Sequence, residues 1–306
     1  MYIPILSDTD PLYYISNKIP FILKGAVIWH NDLTLEFLRA TIGNIKVSVH
    51  QSNDRYLTFQ PKNFTYKLKT INQLLDEIIA NIENPNTYTY YRSLGKKPQK
   101  DPSKLEDLSV QLSQKFELPK TFQRLITDGT YKIHSTILRI SHPQIELWTH
   151  YDVFDNVLIQ TMGTKSITLF EPSAIADLKI DLSTSPLNVS QLPRDNHMYK
   201  DLFDKSHTGI LHPGDAIFIP SCWPHSVKYT GTTDPCVSFN CFLESFHINS
   251  VYGNDDPYQI RDAIKLLDRV DAMIGDLPWT LKATCWSKIS LKAKQKCDEV
   301  VARIRQ

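Results

Sequence analysis

Apolar residues keep three rhythms along this chain, and each predicts a different kind of element. Up to about residue 115, short helical stretches mix with alternating runs. Asp10 and Pro11 before Leu12, Tyr13 and Ile15 predict a short capped helix with proline at its first position, where a missing N–H costs nothing. Thr34 ahead of Leu35, Phe37 and Leu38 caps another, which Gly43 is expected to end in the left-handed conformation. Residues 20–25 and 46–50 read as strands, and Thr70 starts a helix through Ile82. Ser103 with Glu106 is a capping-box pattern, which predicts a helix at about 104 to 115.

From Ile133 the spacing shortens to β-rich runs at 133–140, 145–150, 156–160, 166–170, 216–220 and 236–243. Six strands separated by turn residues predict a barrel or a double-sheet jelly roll. Past Pro257 the period becomes helical, with Ile260, Ala263, Ile264, Leu267, Val270 and Ile274 spaced by threes and fours until Gly275. A second long helix is expected from about Trp279 to Ile304. Such stripes need a partner, either the outside of the barrel or a second copy of the chain. The expected organisation is an N-terminal α/β extension over 1–115, a β core over 116–250 and a helical tail over 251–306.

Composition removes several function classes. Thirty-four basic and thirty-three acidic side chains leave a net charge of +1, so a nucleic acid or membrane would have to be met by a local patch. Five cysteines, at 222, 236, 241, 285 and 297, form no Cys-x-x-Cys pair, which argues against a disulfide framework and a thiolate zinc site. The amino terminus lacks the basic-then-apolar pattern of a signal peptide and no apolar run reaches membrane-spanning length. A soluble, intracellular protein is expected, cytoplasmic or nuclear.

The chemistry concentrates at Trp148-Thr149-His150-Tyr151-Asp152 and at a later histidine, His225. Strand side chains repeat every second residue, so His150 and Asp152 are expected to point the same way. His225 follows Gly214-Asp215 and an apolar run to Pro220, then Ser221-Cys222-Trp223-Pro224, a corner that can aim an imidazole back at the pair. Two histidines and one carboxylate on one face of a divalent first-row ion leave the opposite positions open, the arrangement of non-haem iron oxygenases. Manganese and cobalt accept the same donors. Lys165, beside an apolar run, must either snorkel to water or meet an anion such as a 2-oxo acid.

At these residues the chain resembles the JmjC family of Fe(II)- and 2-oxoglutarate-dependent oxygenases, in its asparaginyl-hydroxylase-like branch. The matching pieces are His150-Tyr151-Asp152, Asn156, Lys165, Pro213-Gly214-Asp215 through Pro220, Trp223-Pro224-His225 and Asn240. Tyr90-Tyr91-Arg92-Ser93-Leu94-Gly95 and Tyr252-Gly253-Asn254-Asp255-Asp256-Pro257 narrow the likeness to the members that hydroxylate wybutosine in tRNA. The resemblance implies a mainly β fold with α elements, a double-stranded β-helix of the cupin-like JmjC kind. It implies Fe(II) on His150, Asp152 and His225, 2-oxoglutarate on Tyr90, Asn156 and Lys165, and a polar role for Asn240 near that cosubstrate, with dioxygen as the second cosubstrate. Some relatives place a threonine three residues before the first ligand; this chain has Leu147 there, and Tyr90 is the candidate replacement.

The substrate implied is the wybutosine side chain on a modified guanosine beside the tRNA anticodon. A protein hydroxylase or lysyl demethylase on the same scaffold, or a binding module without turnover, are the alternatives. For tRNA the basic candidates are the loop with Arg92, Lys96, Lys97, Lys100 and Lys104, and the tail stripe Lys288, Lys292 and Lys296. The tail helices are expected to form a homodimer, as in this hydroxylase branch.

Overall fold

The computed structural model describes residues 1–6, 11–98, 100–180, 183–194, 196–230, 234–244 and 260–304. Asp10 and the Tyr252 to Pro257 motif lie outside the described residues. The chain falls into two compact units, Met1–Asp255 and Asp256–Gln306. Among the described residues no helix is long and apolar enough to cross a membrane.

The first unit opens with β1 (Ile5–Leu6), α1 (Leu12–Ser16), β2 (Phe21–Leu23), α2 (Leu35–Ile42), β3 (Lys46–Ser52), β4 (Tyr56–Leu57), β5 (Thr65–Thr70), α3 (Ile71–Ala80) and β6 (Tyr88–Arg92). Three helices follow, α4 (Leu105–Leu108), α5 (Val110–Lys115) and α6 (Lys120–Thr127). Then come β7 (Lys132–Ser141), β8 (Glu146–His150), β9 (Asp155–Met162), β10 (Lys165–Phe170), α7 (His197–Asp204), β11 (Ser206–Leu211), β12 (Ala216–Ile219), β13 (His225–Tyr229) and β14 (Cys236–Glu244). The second unit holds α8 (Ile260–Met273) and α9 (Trp279–Ile304).

The strands make two sheets, one of nine in the order β1-β2-β12-β9-β14-β7-β6-β3-β5 and one of five in the order β11-β10-β13-β8-β4. They face each other as a jelly roll, the expected double-stranded β-helix. Alternation along the central strands of the large sheet decides what each face does. Val157, Ile159, Val237, Phe239, Cys241, Leu138 and Ile140 point outward into a core completed by Leu38 and Ile42 of α2, Leu74 and Ile78 of α3, and Phe122 of α6. Leu158, Ile217 and Ile219 point inward and meet Leu147, Ile167, Leu169 and Val227 of the small sheet. Each fully buried side chain of this size contributes roughly 1.5–3 kcal/mol.

The N-terminal strands are continuous with the barrel, since β6 pairs with β7 and β2 with β12. Thr34 and Thr70 cap α2 and α3 as read, the second in a capping box with Gln73. Three expectations change. Gly43 is right-handed at φ −52°, and glycine is needed because an added Cβ would lie 2.2 Å from the Arg39 carbonyl oxygen. Pro11 is the cap of α1 and not its first helical residue. The helix expected over 104–115 is two helices: Ser109 turns extended and caps α5, while the Ser103 hydroxyl pairs with Ser93 at 2.8 Å and leaves the Thr136 hydroxyl to accept the Leu105 N–H.

Candidate metal centre

His150 is the last residue of β8 and His225 the first of β13, and the two strands pair so that these histidines lie directly opposite. The corner read before His225 therefore ends one residue earlier, at Pro224, and a strand carries the imidazole. Asp152 sits just beyond the end of β8, not within a strand as the alternation suggested. It is held there because the Cys222 N–H donates to its carbonyl at 2.8 Å. One donor atom from each of His150, Asp152 and His225 lies within 4.8 Å of the other two. The ring centres of the histidines are 4.4 Å apart, and His225 Nε2 is 3.7 Å from Asp152 Oδ2.

Each histidine is oriented by its own chain. Nδ1 of His150 donates to the Trp148 carbonyl at 3.1 Å and Nδ1 of His225 to the Trp223 carbonyl at 3.0 Å. A carbonyl only accepts, so both rings carry their proton on Nδ1 and turn an Nε2 lone pair toward Asp152. Burial holds the His150 pKa well below its ordinary value, with the neighbouring His225 lowering it further, so it is a neutral donor at any ordinary pH. Two imidazoles and one carboxylate are the donor set of an open divalent site.

The loop around these ligands has a buried support. The Asp155 carboxylate, fully buried, accepts from Tyr131 Oη at 2.6 Å and from the Ser221 N–H at 2.8 Å, and is ion-paired to Lys18. The Gly214-Asp215 turn is fixed similarly: Gly214 takes φ +91°, and Asp215 accepts from Lys24, the Gly25 N–H and the His212 N–H.

The inward face of the large sheet supplies the remaining polar groups. Asn156 Nδ2 donates to Asp152 at 3.2 Å, and Asn240 Nδ2 donates to Asn156 Oδ1 at 3.0 Å. Asn240 in turn accepts from Arg139 Nε at 2.6 Å, and the Arg139 guanidinium reaches the hydroxyl of buried Tyr90. The structure thus links Asp152, Asn156, Asn240 and Tyr90 through Arg139, which the sequence reading had not singled out. Lys165 is 1% exposed, bonded to the Ser238 hydroxyl, with Nζ 4.8 Å from the Tyr229 ring centre. Burial pulls its pKa down to about 8, and Arg139 lowers it further against an opposing effect of Cys236. Nearby, the buried Ser141 Oγ and Tyr229 Oη have no well-formed hydrogen bond among the described residues. A buried lysine, an arginine and the Ser141 and Tyr229 hydroxyls suit a small dicarboxylate.

Residues 12–248 match the model of the cupin-like domain, most of the length over which this arrangement is built. The chain belongs to the cupin-like domain family. Relatives 29% to 33% identical match most of this chain. The tRNA wybutosine-synthesizing protein 5 of Mus musculus is 31% identical over 275 residues, covering 85% of this chain and 83% of that protein. That of Danio rerio is 29% identical over 294 residues, covering 90% and 87%. A second group matches through one part only: the tRNA wybutosine-synthesizing protein 4 of Emericella nidulans is 33% identical over 90% of this chain, which spans 25% of that longer protein. This chain thus spans most of the length of the first group and about a quarter of the second.

Proposed function

We propose that this cupin-like protein is an Fe(II)- and 2-oxoglutarate-dependent hydroxylase of the wybutosine side chain on a modified guanosine next to the tRNA anticodon. The observation that carries the chemistry is the convergence of two Nδ1-protonated histidines and Asp152 beside a polar sheet face with two cations. The substrate is supported by the names of the relatives that match most of the chain.

His150, Asp152 and His225 hold the ion. When bound, iron and 2-oxoglutarate let dioxygen convert a substrate C–H to C–OH while the keto acid becomes succinate and carbon dioxide. The protein's own residues orient and shield. Asn156 restrains the Asp152 carboxylate, so that the anionic donor keeps its direction. Lys165 and the Tyr90 hydroxyl receive the far carboxylate of the keto acid, with Arg139 and Asn240 fixing Tyr90 and Asn156 in turn. Leu158, Ile217 and Leu169 exclude water from the same interior. We further propose that α8 and α9 pair two copies, since Leu266, Leu291 and Val300 are more than half exposed and Met273 and Trp279 more so.

The test is succinate release from purified protein with ferrous iron, 2-oxoglutarate and tRNA from cells that make wybutosine, with nucleosides read by mass spectrometry. Stimulation by that tRNA and gain of one oxygen on the base are expected. Stimulation by a histone or ribosomal-protein peptide, with none by tRNA, would move the activity to the protein-hydroxylase or demethylase class.

A further inference from the structure

The nine-stranded sheet is wider than the five-stranded sheet it faces, and the uncovered width shows at the β6-β3-β5 end. Register places Tyr66 opposite His50 and His50 opposite Tyr90, with Leu68 opposite Ser48, Thr70 opposite Lys46 and Arg92 opposite Arg139. By alternation these side chains share the inward face that holds Tyr90 and Arg139. Val47 and Val49 take the other face, in the helix-covered core. Beyond buried Tyr90 the inward face opens to solvent: Lys46, Ser48 and Arg92 are exposed, Tyr66 is 53% exposed and Leu68 72%. Lys62 stands over the Tyr66 ring with Nζ 4.3 Å from its centre.

The charge on this overhang has one sign. Its strand residues on this face contribute Lys46 and Arg92, the adjoining loop adds Lys62, and no carboxylate shares the face. Among the described residues none of these three cations is in an ion pair. His50, beneath the overhang, has its pKa depressed to about 4, mainly by burial, with Arg92, Lys62 and Arg139 all pushing the same way. The lysine loop favoured by the sequence is different: Lys96 is paired to Asp107 at 2.9 Å and Lys104 lies 3.8 Å from Glu106. In the tail, Lys296 is paired to Glu299.

We propose that the overhang formed by Lys46, Lys62, Tyr66, Leu68 and Arg92 docks the single-stranded RNA that flanks the modified guanosine, a placement that rests on the RNA substrate reading above. Single strands bind where unpaired cations track phosphates and an exposed aromatic face stacks a base, and this surface has both. It also leads somewhere. Arg92 is the cross-strand neighbour of Arg139, so a strand lying on the overhang is delivered to the sheet face beside His150 and Asp152.

The experiment measures binding of a synthetic anticodon stem-loop RNA to the full chain across a salt series. Lys46→Glu with Arg92→Glu should weaken binding more than tenfold and flatten the salt slope by about one unit per lost phosphate contact. Tyr66→Ala should weaken it about tenfold, and Tyr66→Phe should restore it because stacking needs only the ring. Lys97→Glu and Lys292→Glu should change little, and circular dichroism melts confirm that every variant is folded. If the unaltered chain binds the RNA but the overhang variants match it, or if Lys97→Glu carries the loss, the overhang is wrong and the RNA reading stands. If the unaltered chain binds no RNA, or an acidic peptide outcompetes it, both fall. If the overhang variants turn a dimer into a monomer in sedimentation with RNA affinity unchanged, the surface is a subunit contact and the proposal fails.

Discussion

The two faces of the nine-stranded sheet are built from the same strands and do opposite jobs. On β14, Val237, Phe239, Cys241 and Leu243 lie in the helix-covered core, while Ser238 and Asn240 between them turn to Lys165, Arg139 and Asn156. Neighbouring residues one step apart therefore answer to different requirements: the outer ones to packing, the inner ones to the polar network of the interior. A polar group on the inner face costs stability, because it is desolvated with partners that only partly satisfy it. The comparison teaches that substitutions on one face should be read in stability, and on the other in turnover.

The sharpest break comes at the ligands. Asp152→Ala removes the anionic donor, and succinate formation should fall to background; normal 2-oxoglutarate turnover in that variant would refute the metal assignment. Phe239→Ala on the outer face should cost about 3–5 kcal/mol in urea unfolding, through the cavity it leaves between Trp29 and Phe116. Lys165→Met on the inner face should do the reverse. The apparent KM for 2-oxoglutarate should rise about 30- to 100-fold, consistent with a lost charged hydrogen bond of roughly 2–3 kcal/mol, while unfolding free energy holds or increases.

Acidity of Lys165 separates the faces further. A carboxylate needs the ammonium form, so affinity of the metal-loaded protein for 2-oxoglutarate should fall as pH rises through about 8. The stability sign is opposite: a lysine depressed from 10.5 to about 8 binds fewer protons folded than unfolded, so unfolding free energy should rise between those pH values. Lys165→Met should abolish both slopes. The smallest effect on the site is expected at Asp155→Asn, which loses the charge facing Lys18 and turns an amide NH2 toward a buried donor: metal affinity should drop several-fold, read by cobalt titration, and the melting temperature should fall with it.

Much of this was legible where one local rule decides the outcome. Thr34 and Thr70 cap their helices because a hydroxyl before an apolar stripe has one good use, and the span from Trp279 to Ile304 follows from its period alone. His150, Asp152 and His225 stood out because donor residues in apolar surroundings are costly without a purpose. What stayed hidden depends on residues far away in sequence. Arg139 lies on a strand that reads only as β-rich from its sequence, and a second sheet over that face is what buries it. Its signal was in its neighbours, since Ser238, its register partner, and Asn240, which accepts its hydrogen bond, interrupt the apolar run of Val237, Phe239, Cys241 and Phe242. β11 and β13 were missed because Ser206 to Leu211 and His225 to Tyr229 carry few apolar residues; their pairing with β10 makes them strands. The cap at Leu105 was invisible because Thr136, on a distant strand, supplies it, while Ser109 breaks the helix and caps α5 with its own hydroxyl.

The Lys18–Asp155 contact ties the candidate metal centre to the opening turns of the polypeptide. A shortened chain starting after residue 20 would keep every donor atom yet leave a bare carboxylate sealed under the Ser221 amide, with Tyr131 as its remaining side-chain bond. Trimming the front of this molecule should thus be felt at its candidate metal centre, from a position 137 residues before Asp155 in sequence.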